Sequence, residues 1–135
     1  MPQSARKTRP EALSGIPGRI KYLLIGTAVG LIAAVIFSLV FSCLMPMSFM
    51  PESMLTVLVC LAAFLGAFVS GFVSLRLIGA SGLVNGLFSG LIFCAVHLVA
   101  TVIAGGGFSS PVVWICLALE LIGGILGGIV SVNLS

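Results

Sequence analysis

His97 and Glu120 are the two strongly ionisable side chains that fall well inside long apolar runs of this chain. A charge at the centre of a bilayer costs at least about 2.5 kcal/mol, so such residues usually face protein and find partners. An imidazole and a carboxylate held together could form a proton-responsive pair in a transport pathway. The plainer role is a buried hydrogen bond or ion pair that fixes the register of two helices. Desolvation penalises both charged forms and pairing favours both, which leaves the charge state open. Nucleophilic catalysis has less to work with. A hydrolase needs a nucleophile and a base within hydrogen-bond reach, whereas Ser89 lies two turns and about 80° around a helix from His97. No GxSxG, HExxH or phosphate-cradling glycine loop occurs, so an enzyme is not expected.

Cys43, Cys60, Cys94 and Cys116 lie inside apolar runs and lack the paired spacing of a zinc site, so neither a metal nor another cofactor is expected. They read as small buried hydrophobes with inert thiols. All four fall in the outer halves of their predicted spans, where a disulfide is geometrically conceivable but not specified by sequence.

The elements that position these side chains follow from composition. Of 135 residues, 60% are hydrophobic and 7% charged, against about 25% charged in typical soluble domains. Such a chain cannot cover itself with polar surface. In hydrocarbon every backbone amide must be satisfied internally, which leaves helices or a closed barrel, and the alternation of a barrel strand is absent. The expected fold is all-α, an integral membrane four-helix bundle. A basic tail occupies 1–21, and a transmembrane domain occupies 22–135, with helices at about 22–45, 53–75, 82–104 and 112–132. Ser53 is the expected N-cap of the second. The first run is too long for the core of a secretory signal, and no small-residue cleavage pattern closes it.

The net charge of +3 does not indicate nucleic acid, because of where the charges lie. Arg6, Lys7, Arg9, Arg19 and Lys21 precede the first span, and Arg76 follows the second. Basic residues flanking spans mark the cytoplasmic side and attract anionic headgroups. Four spans then place both termini in the cytoplasm. Tyr22 and Trp114 fall at opposite interfaces, where amphipathic rings settle.

Hydrophobicity does not drive helices together in lipid, whereas close contact between small residues does. Each span carries a candidate packing stripe of the glycine-zipper kind: Gly26 and Gly30 with Ala33 and Ala34 in the first; Ala63, Ala67, Ser70 and Ser74, flanked by Gly66 and Gly71, in the second. Gly82, Gly86 and Gly90 mark the third, and Gly123, Gly124, Gly127 and Gly128 the fourth. At 100° per residue, His97 sits about 20° from Gly86 and Gly90, and Glu120 about 20° from Gly127 and Ser131. Both lie roughly 11 to 12 Å below the outer boundary, so a contact between the third and fourth helices is reasonable. Asn85 and Asn133 read as interface residues.

Setting GLIAAVIF (30–37) over GLFSGLIF (86–93) also aligns Gly71 with Gly127. Each half would then be one helical hairpin of a parallel repeat. The stretch GAFVSGFVSLRLIGASGLVNGLFSGLIF, Gly66 to Phe93, and the closing GGILGGIVSVN, Gly123 to Asn133, resemble the YrzE-like family. These are short four-helix membrane proteins of unknown function from Gram-positive bacteria. The resemblance implies four spans and a bacterial plasma membrane, and no reaction or ligand. The reading that results is a noncatalytic helix-packing or accessory subunit, whose partners are the lipid bilayer and either further copies of itself or a larger membrane complex. The alternative is a proton-coupled small-solute transporter or channel component using His97 and Glu120.

Overall fold

The computed structural model describes residues 16–44, 51–79 and 81–134. It contains α1 (Ile16–Leu44), α2 (Glu52–Ile78), α3 (Gly82–Ile103) and α4 (Pro111–Asn133), with no strand among the described residues. Each helix is long and apolar enough to cross a membrane. Their outward faces are built for hydrocarbon: Ile32, Leu39, Val57 and Val99 all expose more than half of their surface. A soluble protein rarely shows contiguous apolar area on that scale. The chain is a small multi-pass membrane protein.

Three helix limits differ from expectation for identifiable reasons. α1 begins at Ile16 rather than Tyr22, because Pro17 sits in the first turn, where its missing N–H breaks no helical bond. Arg19 and Lys21, expected in the tail, therefore lie exposed on the helix; Arg6, Lys7 and Arg9 fall outside the described residues. α2 starts at Glu52, so Ser53 lies inside its first turn and Pro51 is the N-cap, without a side-chain cap bond. The far end of α2 runs one turn past Leu75. Arg76 there favours the negative helix terminus and stands 5.9 Å from the Phe72 ring centroid. Gly79 stops the helix in the left-handed region at φ 62°, and its N–H donates to Leu75 O at 2.7 Å. The first loop, expected at 46–52, lies largely outside the described residues.

The helices do not form a ring of sequence neighbours. α2 packs most closely on α4 and on α1, and α3 packs chiefly on α4. α2 and α4 run parallel along a seam of small residues. A Cβ on Gly71 would strike Gly124 O, and one on Gly127 would strike Phe68 O. The 56-residue separation of Cys60 and Cys116 matches the offset of the sequence repeat and exchanges these two backbone contacts. The α2–α4 seam is thus locally two-fold, as a parallel repeat requires. The hairpins differ in detail: Gly30 meets Gly66, whereas its counterpart Gly86 meets Gly124 and Ile125.

Glycine brings each hairpin to backbone contact. On α1, Gly26 lies against Ser74, and a Cβ on Gly30 would stand 2.6 Å from Gly66 O. Between α3 and α4, a Cβ on Gly82 would stand 2.9 Å from Gly128 O, and one on Gly86 2.9 Å from Gly124 O. On α4, a Cβ on Gly123 would reach Phe64 O at 2.7 Å, and one on Gly128 would reach Gly82 O at 2.6 Å. These positions tolerate no side chain without displacing a helix.

The cysteines correct the expectation of inert thiols. Cys60 and Cys116 form a disulfide between α2 and α4, with Cα atoms 5.1 Å apart, inside the usual range. Cys94 is free and buried, and Cys43 is free and exposed. Maleimide labelling of the denatured, unreduced chain is therefore expected to modify Cys43 and Cys94 alone. Reduction should add Cys60 and Cys116 in the mass spectrum, and four labels before reduction would rule the bond out.

Candidate functional site

The α3–α4 seam ends, toward the loop that joins the two helices, in the ionisable pair. Below it, a Cβ on Gly90 would meet Leu121 Cα at 3.3 Å, and Cys94 Sγ donates to Leu117 O at 3.4 Å. One turn further on, His97 Nδ1 contacts Glu120 Oε1. The geometry follows from helix direction. Side chains lean toward their own N-terminus, so on antiparallel helices Glu120 reaches toward the α3–α4 loop and His97 reaches away from it until they meet. Thr101 Oγ1 donates to His97 O at 2.9 Å, within α3.

The two partners are buried unequally. Glu120 is fully buried, whereas the His97 side chain keeps 33% of its surface exposed. Glu120 Oε2 is also enclosed and makes no hydrogen bond of ordinary geometry, although the Cys94 thiol stands beside this carboxyl. A buried carboxyl oxygen in that state is uncommon, because leaving such an acceptor unpaired costs about 1–3 kcal/mol.

The exposed part of His97 faces a crevice. Toward the C-terminal end of α1, Ser38 and most of its neighbours are exposed. The crevice between α1, α2 and α3 has a volume of about 160 Å³. Ala34 and Ser38 of α1, Val59 of α2 and Phe93 of α3 line it, together with His97 and Glu120. Sequence reading missed this opening, although Ser38 and His97 each interrupt an apolar face in the C-terminal half of a helix.

Toward its N-terminal end, α3 carries a separate polar cluster. Ser89 Oγ lies 3.0 Å from Ser70 Oγ and 3.3 Å from Ser74 Oγ, and all three are fully buried. Asn85 is buried one turn further in, while Asn133 at the end of α4 is exposed. Phe93, only 2% exposed, occupies the turn between Ser89 and His97. The Ser89 hydroxyl is therefore engaged with α2 and roughly 12 Å along the helix from His97, too far to act with it. Trp114 is exposed near the α3–α4 loop and donates through Nε1 to Phe108 O at 3.2 Å. Among the described residues no three His, Cys, Asp or Glu side chains converge as metal ligands.

A family model described as "Protein of unknown function (DUF3792)" matches residues 19–131, which include all four helices apart from their extreme ends. No curated protein and no solved structure matches the chain.

Proposed function

We propose, from the premise that the chain belongs to the DUF3792 family of proteins of unknown function, that it is a noncatalytic helix-packing protein serving as an accessory subunit of a membrane complex. The supporting observation is the use of its buried polar groups. They tie helix to helix, His97 to Glu120 and Ser89 to Ser70 and Ser74. In this reading the ionisable pair sets the register of α3 on α4. Copurification from mild detergent after crosslinking tests it. A defined partner in stoichiometric yield is the expected result, and recovery of the chain by itself would count against an accessory role.

A second reading has one observation in its favour, the crevice that reaches His97 and Glu120. Here the pair exchanges protons in a proton-coupled carrier for a small solute. Liposomes bearing the purified chain would then carry proton flux that His97→Ala and Glu120→Gln abolish while the fold survives. Flux equal to that of empty liposomes would dismiss this reading.

We further infer a YrzE-like protein in the plasma membrane of a Gram-positive bacterium, with both termini in the cytoplasm. Arg19, Lys21 and Arg76 gather at one end of the bundle, consistent with the cytoplasmic side. The Cys60–Cys116 disulfide lies toward the other end, and such bonds persist in oxidising compartments. In intact cells of a Cys43→Ser background, Gly107→Cys should react with a membrane-impermeant maleimide and Leu134→Cys should not. The opposite pattern would invert the topology.

A further inference from the structure

We propose that the crevice between α1, α2 and α3 takes up a small monocarboxylic acid in its undissociated form, held between Nε2 of His97 on α3 and the Ser38 hydroxyl on α1. The proposal deepens the carrier reading, on which it rests for transport, by naming the solute class and the form in which its proton travels.

The chemistry starts from the edge of His97 that the ion pair leaves unused. Nδ1 engages Glu120 Oε1, whereas Nε2 has no partner among the described residues and, unlike Glu120 Oε2, is not enclosed. Apolar surroundings favour a pair without net charge. Such a pair holds one proton between Nδ1 and Oε1 and a second on Nε2, so Nε2 presents an N–H whichever partner carries the first. The Cys94 thiol of α3 also stands against the Glu120 carboxyl, and α1 and α2 bring no ionisable side chain to the crevice. Ser38 lines the same crevice. Thr27 and Thr101 each donate to a carbonyl four residues earlier, whereas the Ser38 hydroxyl makes no hydrogen bond among the described residues. One donor and one acceptor are thus set in walls that are otherwise carbon. An undissociated carboxylic acid satisfies both, its carbonyl oxygen accepting from Nε2 and its O–H donating to Ser38 Oγ. A carboxylate would bring an uncompensated charge among apolar walls, and a primary amide would leave one N–H unmatched.

Size and access set the rest of the molecule. Ligand sites are concave and mostly apolar with a few placed polar groups, and this one is small. Its volume of about 160 Å³ compares with the roughly 150 Å³ apolar cavity that accommodates benzene in another protein. A second cavity of about 230 Å³ shares Ser38 and Val59 as walls and adds Phe41 and Ser42 of α1 with Leu55 and Leu58 of α2. It leads toward the end of the bundle where α1 stops and α2 begins, with Ser42 one helical turn beyond Ser38. A solute arriving there from water at neutral pH is a carboxylate. To occupy the crevice it gains one proton, forming its O–H bond, and it gives that proton back on release. Solute and proton therefore move one for one.

Calorimetry on the full chain in lipid nanodiscs, with empty nanodiscs as blank, tests binding with benzoate as probe. Benzenesulfonate is its counterpart, of similar size but without a neutral form near neutral pH. The expected result is saturable 1:1 binding of benzoate with one proton taken up, read from two buffers of different ionisation enthalpy, and the sulfonate at least tenfold weaker. His97→Asn retains an amide that can donate to Glu120 and removes the ring edge bearing Nε2, and it should weaken benzoate at least tenfold. Ser38→Phe fills the crevice from α1 without touching the pair and should do the same. If His97→Asn does not fold, Ser38→Phe, the sulfonate and the proton count decide. No saturable binding, binding without proton uptake, equal affinity for the two probes, or affinity that Ser38→Phe leaves intact would overturn the proposal. Flux assays separate it from the reading it rests on. Saturable binding in liposomes that benzoate acidifies no faster than empty ones would sink the carrier and leave the site. Proton flux dependent on His97 but indifferent to benzoate and to Ser38→Phe would sink the site and leave the carrier.

Discussion

His97→Leu is expected to destabilise the bundle by about 3 kcal/mol, while His97→Leu combined with Glu120→Met should return it to within about 1 kcal/mol of the parent. The asymmetry comes from what each change leaves behind. Oε2 of Glu120 makes no hydrogen bond of ordinary geometry, and losing His97 strips Oε1 of its partner too, inside a fully buried site. Breaking a buried ion pair from one side costs about 3–5 kcal/mol, whereas a neutral interhelical hydrogen bond in a membrane contributes about 0.6 kcal/mol on average. The size of the single-mutant effect therefore reports the character of the pair. The double variant replaces both groups with apolar ones of similar volume, removes the desolvation cost and preserves packing. Reversible unfolding in mixed micelles measures all three variants as a cycle. Additive effects of the two single changes would show that the contact carries no coupling energy, and a loss below about 1 kcal/mol for His97→Leu would identify a neutral hydrogen bond.

The four spans were legible because each is an apolar run of about the required length bounded by proline, glycine or charge. The meeting of His97 and Glu120 was legible for a different reason. Each lies on the glycine face of its helix at a similar depth, and glycine faces are where helices touch. What escaped sequence reading depends on which helices become neighbours. Cys60 and Cys116 are two of four similarly placed cysteines, and nothing local says that α2 lies beside α4. That adjacency comes from the combined shape of two hairpins. The crevice escaped for a related reason, since it arises where α1 leaves the other helices and not from any pattern within α1. The early start of α1 escaped because Arg19 and Lys21 read as boundary residues. Their long stems can lie along an apolar surface while the charge reaches water, so a helix can run through them.

Gly124 is where the packing argument is most exposed to test, because it lies on both seams of α4. Its Cβ would stand 2.7 Å from Gly90 Cα and 3.0 Å from Gly86 O on α3, while Gly71 of α2 presses on Gly124 O. Every one of those neighbours is backbone, so no rotamer change can make room. Gly124→Leu is accordingly expected to cost more than the roughly 1–3 kcal/mol of ordinary overpacking, about 4 kcal/mol or outright failure to assemble. Gly90→Leu engages α4 near Leu121, and Gly127→Leu engages Phe68 and Phe72 of α2. Each touches one seam and should cost less than Gly124→Leu. Gly107→Ala in the α3–α4 loop, whose Cβ would meet nothing closer than 4.0 Å, should lie within about 0.5 kcal/mol of the parent. The same micelle unfolding ranks the four. Because lipid offers no hydrophobic gain for bringing helices together, a leucine at Gly124 adds apolar surface without compensation and only opens the seams. If Gly124→Leu unfolds like the parent, α2, α3 and α4 do not meet at this residue. The support that the α3–α4 seam gives to the His97–Glu120 pair would then be lost with it.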